Sequence, residues 1–431
     1  MQNVQEVGAG LSALQAAAMH ALQAGREDEA GQLWARVLEH DPQHGQALLS
    51  LGQRAFRYGD LDTAQLAFER LVAAHPDNAQ GWINLALTHK GRQDEVREQA
   101  AIDRALCNDP SDLIALILRA NLLERQGKRH KAANVYGAVA GVAPPLDALE
   151  PDLRRAVEHA HQYRASYHGD FGDFLDRFLE RHYRQCNGED LARFRESVDI
   201  MVARKRRYDS QSMTYHYPGL LPTPFFARSQ FAWLDAIEAG SDAIRAEFLA
   251  VLARDAGFTP YLTYPPDMPH NQFAELNNSP RWSAFHLLAD GKPVPGHAEQ
   301  CPETLRLLRG APQPDQPGRT PSAMFSLLKP HTRIPPHVGV SNVRLVTHLP
   351  LIVPPSCGFR VGNETRGWEA GQAFVFDDTI EHEAWNDSDQ LRVVLIFDIW
   401  HPHLTMAERA MITALTEGIH QFRAGAGDFA L

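Results

Sequence analysis

Two histidines in the last third of the chain have the residue type and placement of metal ligands. His337 lies in the run PPHVGVSN and His382 in DDTIEHEAWN, 45 residues later, and each borders an apolar segment of β type. Neutral imidazole is a common ligand of first-row metals, and two of them suit Fe(II). The pair therefore predicts a metal site shared by neighbouring strands. Because the chain holds 21 histidines, surface or capping roles for both are the alternative.

A third polar residue, Arg392, opens the apolar run RVVLIFDIW. A guanidinium buried there without a carboxylate partner would be costly. A bound dicarboxylate such as 2-oxoglutarate would supply that partner through two parallel hydrogen bonds. His348 in RLVTHLPLIV and Ser326 in AMFSLL could donate to the same ligand. The alternatives are pairing of Arg392 with Asp378 or Asp398, and a Ser326 hydroxyl bonded to backbone.

Short runs rich in β-branched and aromatic residues surround these side chains. They are AMFSLL, RLVTHLPLIV, GFRVG, QAFVFDD, EHEAWN and RVVLIFDIW, separated by turn-type segments such as PPSCG, GNETRGWEAG and NDSDQ. Many short strands with few helices between them predict an antiparallel sandwich or barrel, and a jelly roll is among the standard solutions. From Tyr208 the sequence becomes rich in Pro, Tyr, Phe and Trp, so this domain is predicted to span residues 208–431, with a C-terminal helix.

A family resemblance rests on two of these stretches, HVGVSNVRLVTHLPL and GNETRGWEAGQAFVFDDTIEHEAWNDSDQLRVVLIFDIWHP. Over about residues 220–405 the chain resembles the aspartyl/asparaginyl β-hydroxylase family of oxygenases, which depend on Fe(II) and 2-oxoglutarate. The resemblance implies a double-stranded β-helix, a cupin-like fold, that hydroxylates an unactivated C–H bond with O2 and releases succinate and CO2. The implied ligand residues are His337 and His382 for iron, with Arg392, His348 and Ser326 for 2-oxoglutarate.

The resemblance also bears on the third iron ligand. In most such oxygenases a carboxylate stands two residues after the first histidine, and here that position is Gly339. The resembled family has the same feature, which leaves only two protein ligands. The missing carboxylate is therefore an agreement with the family.

One departure concerns the substrate. Animal members read N-x-R-L-R-x-H after the first histidine, and their second arginine contacts the substrate's acid group, whereas this chain has Val346 there. Arg344 shares a strand face with His348 and is the remaining substrate-binding candidate, or else part of a structural ion pair. The predicted substrate is the β-carbon of an aspartyl or asparaginyl residue, a related amino acid or an acyl chain.

Carboxylates beside the second histidine have a smaller predicted role. Asp377 or Asp378 could orient the imidazoles, or could cap a turn. Glu381 and Glu383 are expected to be exposed charges and not metal ligands.

The first third of the chain repeats every 34 residues. The repeated positions are prolines (Pro42, Pro76, Pro110, Pro144), small residues (Ala18, Gly52, Ala86, Ala120) and large residues (Trp34, Phe68, Ile102, Tyr136). This period is that of the tetratricopeptide repeat family, which the chain resembles from about residue 11 to 146. Gln93 and Glu98 replace a turn glycine and a helix alanine of the other repeats, so the second helix of the third repeat is predicted to be displaced or irregular.

The expected organisation is multidomain α + β. An all-α repeat solenoid over residues 1–146 precedes a helical connector over 147–207 and the oxygenase domain. A concave groove of the solenoid would bind a peptide or protein and deliver substrate to the oxygenase domain, or the solenoid would serve as a spacer or oligomerisation element.

Composition excludes several other classes. The net charge of −11 argues against a nucleic-acid partner, and no apolar run reaches the 18 or so residues needed to span a bilayer. With no targeting segment evident, the expected location is the cytoplasm. Two further functions stay open, a scaffold with a silent β domain and a cupin-like metalloenzyme that does not use 2-oxoglutarate.

Overall fold

The computed structural model describes residues 2–186, 190–254, 256–269 and 271–426. The chain divides into two compact units, residues 1–204 and 205–431, called here the repeat unit and the β unit. The domain limits predicted at residues 146 and 207 stay predictions.

The repeat unit consists of helices. They are α1 (Gln2–Gln23), α2 (Glu27–His40), α3 (Gly45–Arg57), α4 (Leu61–Ala74), α5 (Ala79–Gly91), α6 (Glu95–Asn108), α7 (Leu113–Arg125), α8 (Arg129–Val142), α9 (Pro151–Tyr183) and α10 (Ala192–Met201). Each repeat proline stands two residues past a helix end, where its missing N–H costs nothing. Several helices begin at an Asp or Asn whose side chain accepts a backbone N–H, such as Asp60 before α4 and Asp112 before α7.

The repeated small and large residues meet between the two helices of a repeat, in a contact called here the seam. A Cβ added to Gly52 on α3 would overlap the ring of Phe68 on α4, so only glycine allows this approach. Phe68, Trp34, Ile102 and Tyr136 are all buried in the seams. Helices of 13 to 14 residues are marginal alone, and this burial of one face stabilises them.

The prediction for the third repeat is wrong, because α6 is a regular helix of 14 residues. Gln93 takes a φ of 59°, in the left-handed region where Gly25, Gly59 and Gly127 stand in the other repeats. Glu98 is 1% exposed, and its carboxylate accepts a hydrogen bond from Arg125 at 2.6 Å. A strained turn and a buried ion pair thus preserve the repeat despite both substitutions.

In the β unit, the described residues form four further α-helices and eleven strands. The helices are α11 (Leu234–Ala239), α12 (Ser241–Leu252), α13 (Pro302–Leu308) and α14 (Met406–Ala426). The strands are β1 (Thr259–Pro260), β2 (Trp282–Ala289), β3 (Lys292–Pro293), β4 (Ala323–Leu328), β5 (Thr332–His337), β6 (Arg344–Ile352), β7 (Cys357–Val361), β8 (Glu364–Arg366), β9 (Phe374–Phe376), β10 (His382–Asn386) and β11 (Arg392–Trp400).

The strands form two antiparallel sheets. The larger has the order β1-β2-β4-β11-β6-β9, with β3 beside β2, and the smaller has the order β5-β10-β7-β8. From β4 onward the chain passes repeatedly from one sheet to the other. The predicted β-rich domain after a helical repeat array is confirmed, and its assignment to the double-stranded β-helix stays a prediction.

Alternation along the strands of the larger sheet separates two cores. Outward residues such as Phe325 and Leu395 pack with Phe248 of α12 in the main hydrophobic cluster. Ser326, one position after Phe325, and Arg392, three positions before Leu395, point the other way and line a cavity. The period of two therefore places the chemical residues of β4, β6 and β11 on one surface.

Candidate active site

The two candidate metal ligands meet across a strand pair. His337 ends β5 and His382 begins β10, and their Cα atoms are register partners. The ring centroids are 4.1 Å apart, with an angle of 52° between the planes. β5 contains two prolines and was not recognised as a strand, but it lies at the edge of the smaller sheet, where prolines are tolerated.

Backbone carbonyls hold both rings. Nδ1 of His337 lies 2.8 Å from the Pro335 carbonyl oxygen, and Nδ1 of His382 lies 3.0 Å from that of Ile380. A neutral ring that donates from Nδ1 keeps Nε2 free as a ligand atom. Burial lowers the pKa of both histidines, that of His382 well below its usual value, and the adjacent His337 adds to the effect on His382. Both rings are therefore neutral at pH 7, as metal binding requires.

Gly339, two residues after His337, stands where most such oxygenases have a carboxylate ligand, and the structure leaves no room for a side chain there. A Cβ built on Gly339 would overlap the carboxyl group of Asp378, so no side chain fits there. Within the described ranges, no group of three or more His, Cys, Asp or Glu side chains has the arrangement of a metal site. Oδ1 of Asp378 is buried beside this glycine and has no hydrogen-bond partner in the structure.

The carboxylates before His382 do not orient the imidazoles as one hypothesis proposed. Asp377 caps a turn, accepting from the backbone N–H and the hydroxyl of Thr379 at 3.0 and 2.6 Å. The backbone carbonyl of Asp378 accepts the N–H of Gly339 at 2.6 Å, and its carboxylate binds Arg344. Backbone geometry therefore supplies the anchors that sequence reasoning assigned to side chains.

The expectation for the two glutamates that flank His382 is also corrected. Glu381 and Glu383 are only 25% and 26% exposed, and both form ion pairs with Arg360. Neither takes part in the site, because both point to the neighbouring strand β7.

Arg392 lies in the same cavity and has no carboxylate partner among the described residues. It is 1% exposed, and its Nε and Nη1 atoms have no hydrogen-bond partner in the structure. Burial lowers the pKa of Arg392 to about 10, so the guanidinium is charged at neutral pH. Its Cζ lies over the ring of Trp368, 5.1 Å from the ring centroid. A buried, charged and unpaired guanidinium is the feature expected of an anion site.

The other two candidates lie near Arg392. His348 is 6% exposed and has no partner for Nδ1, and burial together with Arg392 lowers the pKa of His348 well below its usual value. Ser326 is fully buried, and its Oγ accepts a hydrogen bond from Nε1 of Trp282 at 3.2 Å. Since the indole is only a donor, the serine hydroxyl proton is free to point at a ligand.

Arg344 is near the site but already paired. Its guanidinium binds Asp398 at 2.7 Å and Asp378 at 3.0 Å, and it is 15% exposed. Burial disfavours the charged form, but the attraction of the two carboxylates outweighs it and raises the pKa of Arg344. The two aspartates considered as partners of Arg392 therefore pair with Arg344 instead. Arg344 forms the structural ion pair that was one of its two interpretations, and it also lines the cavity with His348, as the other interpretation required.

One cavity of about 710 Å³ unites these residues. Its described lining includes all six candidate site residues, Ser326, His337, Arg344, His348, His382 and Arg392. Sequence reasoning missed its aromatic wall, where Tyr261 and Trp282 stack with centroids 3.9 Å apart and Phe273 lies edge-on to His337. The abundance of Tyr, Phe and Trp after Tyr208 was the available signal.

Similarity to known families follows the same division of the chain. Residues 238–402 match the family model described as aspartyl/asparaginyl beta-hydroxylase. Residues 21–87 match the model of the tetratricopeptide repeat. Both resemblances read from the sequence are therefore confirmed over these residues.

Curated relatives share part of the chain. Human aspartyl/asparaginyl beta-hydroxylase is 32% identical over 209 residues, which are 48% of this chain and 26% of that protein. The ornithine lipid ester-linked acyl 2-hydroxylase of Rhizobium tropici is 34% identical over 196 residues, 45% of this chain and 66% of that protein. Mouse aspartate beta-hydroxylase domain-containing protein 2 is 27% identical over 263 residues, 60% of this chain and 72% of that protein. The aligned region spans about a quarter of the human and mouse beta-hydroxylases.

No helix within the described ranges is both long enough and apolar enough to cross a bilayer.

Proposed function

We propose that the β unit is an Fe(II)- and 2-oxoglutarate-dependent dioxygenase that hydroxylates an unactivated C–H bond. The observation that carries the proposal is one cavity with two neutral imidazoles, 4.1 Å apart, and a buried guanidinium without a carboxylate. His337 and His382 would hold the iron through Nε2. Bound iron and 2-oxoglutarate supply the chemistry, in which O2 and the oxo acid become succinate, CO2 and one hydroxyl group on the substrate.

The cosubstrate would bind at the Arg392 end of the cavity. The guanidinium pairs with one carboxylate of 2-oxoglutarate in the fork geometry that arginine provides. Ser326 donates its free hydroxyl proton, and His348, held neutral by burial, can donate one further hydrogen bond without adding charge. A dicarboxylate thus completes three groups that are otherwise buried with unused hydrogen-bonding capacity.

The rest of the cavity would orient the substrate and exclude water. The Tyr261–Trp282 stack and Phe273 form an apolar wall beside the imidazoles. Oδ1 of Asp378, whose carboxyl group fills the space beside Gly339, can accept a hydrogen bond from the substrate. The substrate is an aspartyl or asparaginyl residue, a related amino acid or an acyl group, the classes that the names of the relatives include.

The repeat unit would bind a partner or deliver substrate. A tetratricopeptide array has a concave face suited to an extended peptide. Removal of residues 1–150 would then reduce turnover of a delivered substrate but not of a small one.

Two alternatives make different use of the same cavity. A cupin-like metalloenzyme of another class would bind metal at His337 and His382 but would not use Arg392 for an oxo acid. A scaffold with a silent β unit would have neither property.

The proposal is tested by anaerobic absorption spectroscopy of the full chain. Fe(II) with 2-oxoglutarate should produce a weak metal-to-ligand band in the visible that Arg392→Ala abolishes. Arg245→Ala is the matched control, because Arg245 lies on α12 with 49% of its side chain exposed and outside the cavity lining. An unchanged spectrum on adding the oxo acid to iron-loaded wild type would favour the other metalloenzyme class.

A further inference from the structure

The mouth of the cavity carries exposed apolar side chains. Met213, Val340, Leu415 and Ile419 all line the cavity, and their exposed fractions are 67%, 37%, 44% and 39%. Single exposed apolar residues are common, but a group of them at the edge of a cavity indicates a binding surface.

Helix α14 extends this apolar rim beyond the cavity. Met411, Leu415, Ile419 and Phe422 are spaced by four, four and three residues, which places them on one face of the helix. Met411 and Phe422, outside the cavity lining, are 69% and 76% exposed. Ile412 is buried, so α14 is attached to the β unit by another face.

The charges of the cavity show which end of a substrate can be anionic. Three arginines occur among the described lining residues. Arg344 is held by two aspartates, and Arg392 is assigned to 2-oxoglutarate under the proposed function. Val346, on the same strand as Arg344, is apolar. No guanidinium is therefore left beside the imidazoles for a substrate carboxylate.

The third arginine, Arg319, is different. It is exposed, and its Nη1 makes only a long contact of 3.4 Å with Oγ1 of Thr214. No ion pair of Arg319 is found in the part of the chain that the structure describes. The free positive charge of the cavity thus lies on an exposed side chain, together with the apolar residues of the rim.

From this arrangement we propose that the substrate is an amphiphile with a long acyl chain and an anionic head group. The acyl chain lies on the apolar face formed by Met213, Val340, Leu415 and Ile419, and the head group binds Arg319. The inference rests on the proposed hydroxylase function for its chemistry, but the binding surface can be tested without iron, 2-oxoglutarate or turnover.

The test measures binding of dodecyl phosphate to the metal-free full chain by calorimetry, below the concentration at which the ligand forms micelles. Each added methylene that is buried should tighten binding by up to about fourfold, so octyl phosphate should bind much more weakly. Leu415→Glu combined with Ile419→Glu should weaken binding at least about tenfold. Arg319→Gln should weaken binding of dodecyl phosphate but not of dodecyltrimethylammonium.

The matched control is Leu249→Glu on α12, because Leu249 is 46% exposed and does not line the cavity. It should bind dodecyl phosphate like the wild type. Equal affinity of the wild type and the Leu415/Ile419 variant would overturn the proposal. So would succinate release that is stimulated by an aspartyl peptide and unaffected by that variant, or association with phospholipid vesicles but not with monomeric dodecyl phosphate.

The two proposals fail in different ways. If the wild type shows no Fe(II)–2-oxoglutarate absorption band but still binds the amphiphile, the proposed oxygenase function is contradicted and the proposed binding surface stands. A normal absorption band with no amphiphile binding would remove only the substrate class.

Discussion

The repeat unit and the β unit treat buried ionisable groups differently. Among the described Asp, Glu, His, Lys and Arg residues of the repeat unit, Glu98 and His89 are the buried ones, and the carboxylate of Glu98 is paired with Arg125. In the described part of the β unit, the buried Asp, His and Arg residues are Asp377, Asp378, Asp398, His348, His382, His401 and Arg392. Burial of ionisable groups is costly, so their concentration in one unit requires a local reason.

Two arginines of the β unit differ in whether they have carboxylate partners. Arg344 and Arg392 line the same cavity, but the first binds two carboxylates and the second binds none. A buried ion pair is compatible with a purely structural role. A buried guanidinium without a partner indicates a ligand that supplies the missing charge.

The largest expected effect concerns Arg392. Arg392→Met should lower the affinity for 2-oxoglutarate at least about a hundredfold, because it removes a charged and bidentate contact. The same change should raise the free energy of unfolding of the ligand-free protein by about 1 to 3 kcal/mol, because an unpaired buried charge is removed. Calorimetric titration and urea unfolding give the two quantities, and a destabilised variant would contradict the unpaired state of Arg392.

Removal of the arginine partner of a buried glutamate in the repeat unit should lower the free energy of unfolding, the opposite of the effect expected for Arg392→Met. Arg125→Met leaves the Glu98 carboxylate buried without its partner, which should cost about 1 to 3 kcal/mol of unfolding free energy. The double variant Glu98→Ala with Arg125→Met should recover most of that loss, since alanine is the residue of the other repeats. Urea unfolding measures both. Equal stabilities of the single and double variants would show that the ion pair does not preserve the third repeat.

A smaller effect is expected from pH. Burial lowers the pKa of His401 to about 4, whereas an unfolded histidine has a value near 6.5. The unfolded chain therefore binds the proton first, and the stability contributed by neutral His401 is complete above pH 6.5 and declines as the pH falls toward 4. When the pH falls from 7.5 to 5.5, the free energy of unfolding measured in urea should decrease by about 1 kcal/mol less in His401→Gln than in the wild type. Identical losses would contradict the buried, neutral state.

The sequence predicted what depends on local periodicity. The 34-residue step predicted the all-α repeat solenoid, and six strands were recognised from short apolar runs, among them β4 and β11. Residues with unusual backbone roles were misjudged, because Gln93 can adopt the turn conformation of a glycine and Glu98 can be buried by a partner 27 positions away.

For the candidate site, residue identity was predictable and partners were not. Histidine and arginine in apolar runs are visible in the sequence, and the structure brings them into one cavity. The pairing of Arg344 with Asp378 and Asp398 depends on how β6 and β11 align and on the loop before β10. The apolar face of α14 belongs to the cavity only because the chain returns to it after the last strand, which no local pattern encodes.

The most direct test of the proposed iron site measures how many Fe(II) ions each chain binds and how tightly. Metal-free protein titrated with Fe(II) under anaerobic conditions should bind one iron per chain. His337→Ala and His382→Ala should each lower the affinity at least about a hundredfold, while the exposed His161→Ala on α9 should leave it unchanged. One iron per chain bound as tightly by either cavity variant as by wild type would contradict the assignment of both imidazoles as ligands.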